Sequence, residues 1–377
     1  MRLFAVGLFW LLMVFDVRAA DTLAKGPPPA WVQPVALRAN PAADTLGAFR
    51  AELFEQQFHF DADGWHLYVR TRMVIQSPQA LSAFGTVGIQ WNPAFQSVTV
   101  HGVTLHRGSQ VIDVLAGQDF VVLRREANLE SATLDGQLTG TLQLNDLRVG
   151  DTIETSYTFD TRIPVLGDHA EFITTGAVPA VVDQYALRGS WPTTQGLRLR
   201  VSEGWDAPTV RRRGARSEIG MDLFNLEPLL VPEDAPARFH QVRQLELTDY
   251  GSWGDIGNLF APLYDRASIL APDSPLHAEI ERIRSASSAR PEQVAAVLRL
   301  VQDEVRYLAL AMGDGGLVPA TADETWTRRL GDCKAKTALL LALLRELGVT
   351  ARPVLVSTVD NALDRRLPTV GAFDQGI

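Results

Sequence analysis

A single cysteine, Cys333, stands in 377 residues. One thiol cannot close an internal bridge, so no disulfide framework supports this fold. Basic charge is also short: 35 Lys and Arg against 44 Asp and Glu leave a formal net charge of −9, which argues against a nucleic-acid partner. The one basic cluster, Arg211-Arg212-Arg213, runs into Gly214 and reads as a solvated turn. Beyond Phe15 no apolar run is long enough to span a bilayer. Histidine is scarce where it would count, because none of the seven follows Cys333.

What is present begins with Met1-Arg2, an apolar run from Leu3 to Phe15, and Val17-Arg18-Ala19. This is the pattern of a secretory signal peptide over residues 1–19, cut after Ala19. Export places the thiol in an oxidising compartment, periplasmic or extracellular, where an unpaired cysteine is either buried and inert or reactive. Its helix-entry setting favours the reactive reading. The expected mature chain starts at Ala20, and the mass of the exported protein checks it; an exported form that keeps Met1 and stays in the membrane refutes it.

Lys25-Gly26-Pro27-Pro28-Pro29 cannot build helix or sheet and reads as an extended lead-in over residues 20–50. From about Phe58 to Val201 the period is two. Trp65, Leu67, Val69, Thr71, Met73 and Ile75 alternate with His66, Tyr68, Arg70 and Arg72, after a turn at Asp61-Ala62-Asp63-Gly64. The pattern returns at Ile153, Thr155, Tyr157 and Phe159, and at Leu197, Leu199 and Val201, with short runs at Val98–Val100, Val103–Leu105, Phe120–Leu123 and Leu142–Leu144. Many short strands of this kind predict a β-sandwich or open barrel over residues 51–235. Leu230 to Pro236 reads as an extended link, and residues 236–270 as a linker segment.

After Trp253 the period turns helical. Val294, Val297, Leu298, Val301 and Val305 form a stripe behind Pro291, which suits a first helical position. A second helix runs from Cys333 to Leu347, with Gly348 as its C-terminal stop. It is apolar nearly all round, which predicts a buried central helix. Ala351 to Thr358 reads as a strand with Pro353 at its start or on an edge.

Cys333 therefore sits at a helix N-terminus, where first-turn amides and the macrodipole favour negative charge, and it is the leading candidate for a nucleophile. Asp332 is placed to cap the helix. Lys334 and Lys336 either favour a thiolate by proximity or are solvated positions. Trp326 and Tyr307 could donate to an oxyanion, although core packing is the expected job of both. His277, in Pro275-Leu276-His277-Ala278-Glu279, reads as a surface residue. His59 and His66, on exposed strand faces, lack a third ligand for a metal site. Asp314, in Met312-Gly313-Asp314-Gly315-Gly316, reads as a turn residue. No metal or cofactor is called for.

Five blocks carry a resemblance: Val301-Gln302-Asp303-Glu304-Val305-Arg306-Tyr307, Gly316-Leu317-Val318-Pro319-Ala320, Glu324-Thr325-Trp326, Gly331-Asp332-Cys333-Lys334, and Glu346-Leu347-Gly348-Val349-Thr350-Ala351. In this order and spacing they resemble the core of bacterial transglutaminase-like domains, here residues 271–377. The strand-rich segment is similar to the uncharacterised β-rich domain that commonly precedes that core in exported bacterial proteins. The resemblance implies an α+β, papain-like active site with a cysteine at a helix start and a histidine and an aspartate on later strands. There the imidazole holds the thiolate and protonates the leaving amine while the carboxylate orients the ring.

Cys333 matches the nucleophile, but Ala335 stands where the family often has an acidic residue. In relatives a loop through Leu-Pro and an aromatic residue reaches the catalytic histidine. Here Leu367-Pro368-Thr369-Val370-Gly371-Ala372-Phe373-Asp374 reaches Gln375. The aspartate strand is expected past Ile377. The α+β domain is thus expected to be incomplete, as a fragment or a natural truncation.

The expected function is cysteine-dependent acyl transfer or cleavage on peptide or protein amides in the complete family, with this chain itself inactive. The alternative is a non-catalytic periplasmic binding module acting through its β-sandwich, without a membrane span after signal removal.

Overall fold

The computed structural model describes residues 22–38, 47–124, 133–175, 180–202, 205–229, 235–239, 243–310, 316–358 and 362–377. The signal-peptide reading, most of the Leu230–Pro236 link, His240 and Asp314 lie outside the described residues.

A nine-stranded mixed sheet organises the first part. Its strands run in the order Ala24–Lys25, Gln96–Arg107, Thr152–Thr161, Gly64–Ile75, Phe49–Asp61, Val182–Pro192, Arg216–Leu226 and Arg211–Arg213, with Gln110–Asp113 added beside Gln96–Arg107. Two pairings are parallel, Ala24–Lys25 with Thr99–Val100 and Val182–Pro192 with Phe49–Asp61. The basic cluster forms one arm of an exposed hairpin with Arg216–Leu226.

Two bulges set which residues face the core. The register shifts between Ala51 and Leu53, so that Phe54, Phe58 and Phe60 fall on the apolar face while Glu55, Gln57 and His59 fall on the other. A second shift leaves His101 unpaired between Val100, opposite Tyr157, and Gly102, opposite Ser156. Val98, Val100, Val103 and Leu105 all stay buried despite their broken spacing. What reads as two short runs in sequence is one strand with an extra residue.

The apolar face is covered by two small sheets. Glu171–Thr175, Gln244–Thr248 and Arg198–Val201 form one, whose Phe172, Leu245 and Leu247 meet Phe58, Phe60, Tyr185, Leu187 and Trp191. Thr86–Trp91, Leu138–Gln143 and Val121–Arg124 form the other, over Val98, Val100, Val103 and Ile153. Helix α1 (Pro78–Phe84) closes the edge of this second cluster.

The opposite face is ionic. Glu154 receives Arg70 at 2.7 Å, Arg72 at 2.5 Å and His106 at 2.9 Å, and Arg72 also reaches Glu52 at 2.8 Å. This face is not left to solvent, because the lead-in lies across it. Beyond Pro27 to Pro29, which have no amide protons to give, side chains of the sheet bond the backbone of the lead-in. Gln57 exchanges two hydrogen bonds with the backbone of Gln33, at 2.8 and 2.7 Å, and Gln184 does the same with Arg38 and Ala36, at 2.9 and 3.2 Å. Trp31 stacks on His59 with ring centroids 5.1 Å apart. The lead-in thus begins with a true strand at Ala24–Lys25, and His59 and His66 are half-buried, which corrects the expectations of an extended lead-in that builds no sheet and of exposed histidines.

The second part is helical: α2 (Trp253–Ala267), α3 (Leu276–Ala286), α4 (Arg290–Glu304), α5 (Ala322–Arg328) and α6 (Cys333–Glu346). Serine and threonine capping boxes start α2 at Ser252 and α5 at Thr321. Leu276, Ile280, Ile283, Val297, Val301, Trp326, Leu339 and Leu343 make the common core of α3 to α6. Leu298 is exposed, and Leu300 takes its expected place on the α4 stripe. Residues 236–270, read as a linker, carry the strand Gln244–Thr248 and α2. The expected strand at Ala351–Thr358 narrows to Leu355–Val356, paired with Gln375–Gly376. Among the described residues no helix is long and apolar enough to cross a membrane.

Burial, aided by the Arg216 charge, pushes the His59 imidazole down to about 4. Between pH 6.5 and 4 the unfolded chain therefore takes up a proton that folded His59 refuses, and stability falls as pH drops through that window. His66 behaves oppositely: burial lowers it, but hydrogen bonds to Asp160 and Asp61 outweigh burial and hold it above its ordinary value. Its contribution is present in full below pH 6.5 and is lost as pH rises above that. The expected result is that His59→Phe, which keeps a ring on Trp31, flattens the decline of melting temperature between pH 6.5 and 4. An unchanged slope refutes it.

Candidate active site

Helix α6 begins where Asp332 stops the preceding strand. Its carboxylate accepts the Ala335 amide at 2.8 Å and its carbonyl accepts the Lys336 amide at 2.9 Å, so Cys333 is the first residue of the first turn. The helix ends at Glu346, and Gly348 follows with φ of 70°. Seven residues of α6 are buried, but Cys333 at its mouth is only half-buried. The sulfur is thereby at the edge of the helical core.

Three short segments bring the neighbours. Arg306–Tyr307 pairs in parallel with Leu330–Gly331, which sets Tyr307 beside the start of α6. On the other side, Thr337 donates to the Gly376 carbonyl at 3.0 Å and lashes the Gln375–Gly376 strand to the helix one turn after Cys333. From α2 comes Tyr264, whose hydroxyl lies so close to Gly376 that a methyl there would overlap it. Glycine at 376 is required by this approach rather than by its backbone conformation.

The electrostatics follow from that crowding. Lys334 reaches the Asp332 carboxylate at 2.5 Å. Burial holds the Tyr264 phenol far above its ordinary value, and Cys333 and Asp332 push the same way. The Tyr307 phenol is raised by burial and then by Cys333, while a hydrogen bond with the Gln375 side chain opposes the shift. The buried Tyr264 hydroxyl finds no hydrogen-bond partner among the described residues. Tyr264, Lys334, Leu317, Phe373, Gln375 and Gly376 line a cavity of about 60 Å³, and an open groove of about 690 Å³ between α2 and residues 350–355 adjoins it.

Cys333, Asp332, Lys334 and Tyr307 thus come together. Tyr307 is 44 % exposed, so the core-packing role expected for it is corrected: among the described residues the two-residue strand that carries it has one partner strand. Trp326 does pack in the core, with the Arg329 guanidinium 3.4 Å from its ring centroid. Lys336 binds the Val305 carbonyl at 2.6 Å, and burial lowers its ammonium below the ordinary value. His277 is half-buried and bonds the Ala271 carbonyl at 3.1 Å. Among the described histidines, the hydrogen bonds of His59, His66, His101, His106, His169 and His277 all go to groups outside this site. Sequence reasoning missed Tyr264. Its only signal was a phenol placed on the apolar stripe Ile256, Phe260, Tyr264.

Comparison with protein families gives two matches. Residues 62–229 match a domain of unknown function, DUF3857, and residues 278–370 match the transglutaminase-like superfamily. This chain joins a DUF3857 domain to a transglutaminase-like domain. Curated proteins return no match. Among solved structures, a protein of Parabacteroides distasonis ATCC 8503 described as a "putative protease" superposes with a TM-score of 0.69 at 15 % identity. The alignment covers 87 % of this chain and 64 % of that one, so the present chain spans under two thirds of its length. At that identity the likeness concerns the fold, a mostly β first part followed by a helical α+β part.

The cap of the transglutaminase-like domain's α6 offers a direct check. Asp332→Ala removes the acceptor for the Ala335 amide and leaves Lys334 unpaired, and is expected to cost roughly 1–2 kcal/mol. Urea unfolding measures this; a change below the error of the midpoint shows that the first turn does not depend on the cap.

Proposed function

We propose that Cys333 is the acyl-accepting nucleophile of a site that acts on peptide or protein amides, and that in this chain the site does not turn over. Support for the first half comes from the family of residues 278–370, in which peptide amides are acted on, and from the thiol at the open end of a capped, buried helix. The expected sequence of bonds is attack of the thiolate on the amide carbon, loss of the amine with a proton, and release of the acyl group to water or a second amine. Tyr264 and Tyr307, the phenols on which Cys333 acts electrostatically, are the candidate donors to a developing oxyanion.

One observation carries the second half. Gln375 lies on the strand lashed across the first turns of α6, and by the resemblance it stands where the Leu-Pro loop of relatives leads to a histidine. An amide side chain beside Tyr307 opposes the rise of its phenol, but it can neither take the thiol proton nor give one to a leaving amine. We place this chemistry outside the cytoplasm, on the reading of residues 1–19 as a signal peptide.

The test measures ammonia release from glutamine peptides and cleavage of small amides. Wild type and Cys333→Ala are expected to give the same background, whereas Gln375→His is expected to gain about a hundredfold in cysteine-dependent rate, the scale of one general acid–base group. Wild-type turnover that vanishes in Cys333→Ala overturns the inactivity. A thiol that iodoacetamide never labels overturns its role as nucleophile and favours a binding module.

A further inference from the structure

The three-stranded sheet of the β-rich part has a second face. Phe172, Leu245 and Leu247 point into the β core, so Glu171, Ile173 and its cross-strand partner Glu246 point away from it. Both carboxylates are spent on a segment of the helical part. Glu171 accepts the Val370 amide at 2.6 Å on one oxygen and the Gly371 amide at 2.9 Å on the other. Glu246, 2 % exposed, accepts the Leu367 amide at 2.8 Å and pairs with the Arg366 guanidinium, with Arg200 3.6 Å away.

These bonds have no local substitute. Val370–Ala372 is a single 3₁₀ turn whose own cap residue, Thr369, makes no side-chain cap bond. Its first amides would be orphaned without Glu171. A buried carboxylate is tolerated only when its oxygens are met by strong donors, and here three backbone amides and a guanidinium supply them. The contact is also apolar: Leu166 and Tyr250 of the β side share one cluster with Ile256, Phe260, Val370 and Phe373.

We propose that Glu171 and Glu246 are positioning residues, a two-carboxylate latch through which the β-rich domain holds the strand Gln375–Gly376 against the thiol site. The latched segment, Arg366 to Gly371, ends just before Phe373-Asp374-Gln375-Gly376. That strand contributes the Tyr307 contact, the Thr337 tie and the packing of Gly376 on Tyr264. The importance of the thiol rests on the reading of Cys333 given above, but the latch itself does not. A ligand or protein that displaced the small sheet would loosen the wall of the site.

The test uses the full chain, in wild type, in Glu171→Gln with Glu246→Gln, and in Asp151→Asn. The last removes another buried carboxylate of the β-rich domain, one paired with Arg107 and not in contact with the loop, and so controls for simple loss of stability. Amide hydrogen exchange over residues 366–377 is expected to speed by about ten- to a hundredfold in the double variant, the equivalent of losing hydrogen bonds to a charged acceptor. The pH profile of Cys333 alkylation by iodoacetamide is expected to move with it, while Asp151→Asn changes neither. Unchanged exchange in the double variant, or an equal rise in Asp151→Asn, overturns the latch. Should exchange rise while Cys333 remains unlabelled in every protein, the latch stands and the nucleophile reading falls.

Discussion

Helix α6 buries Ala338, Leu339, Ala342 and Leu343 almost completely, and each leucine so buried is worth roughly 1.5–3 kcal/mol. Such a helix has to be walled in on every side. Helices α2, α3, α4 and α5 and the strand Gln375–Gly376 are the walls. The end where the wall stops is where chemistry becomes possible, and Cys333 stands there because Asp332 fixes the first turn. The position of the thiol is a by-product of where an apolar helix has to begin.

The β-rich domain solves a different problem. Its large sheet has one face committed to aromatic and aliphatic packing and the other to an ionic lattice around Glu154. A lattice of this kind is at risk of partial hydration, and the lead-in covers it with backbone held by Gln57 and Gln184. Each proline of the lead-in lacks an amide proton and so leaves one donor fewer to satisfy there.

Local signals were the legible ones. Asp332, the run of leucines and Gly348 each act within a turn of where they stand, and together they placed α6 to within a residue. Alternation located Gly64–Ile75 and Thr152–Thr161 for the same reason. Bulges were not legible, since an extra residue such as His101 breaks the period that alternation relies on. Nor was Ala24–Lys25, whose pairing with Thr99–Val100 depends on a distant edge. In the site, Tyr264 arrives from α2 and Tyr307 is held out on a two-residue strand, and neither placement leaves a mark on the neighbouring sequence. Glu171 and Glu246 left no signal in the sequence, Glu246 lying within what reads as a linker, because their role depends on a loop more than a hundred residues away.

The parallel pairing of Phe49–Asp61 with Val182–Pro192 carries a consequence for how the chain acquires its structure. Antiparallel neighbours such as Phe49–Asp61 and Gly64–Ile75 can zip from a tight turn, but these two strands meet only after most of the intervening sheet exists. Helices α4, α5 and α6, by contrast, pack on one another within one stretch of chain, although α2 reaches α6 from further away. Folding that pays loop-closure entropy first is slow, and local helical contacts are fast. The helical half should therefore mature around its thiol while the β half is still assembling, leaving Leu367, Val370 and Gly371 without their carboxylates until last. A chain that folded in that order would form α6 before the wall beside Cys333 closed.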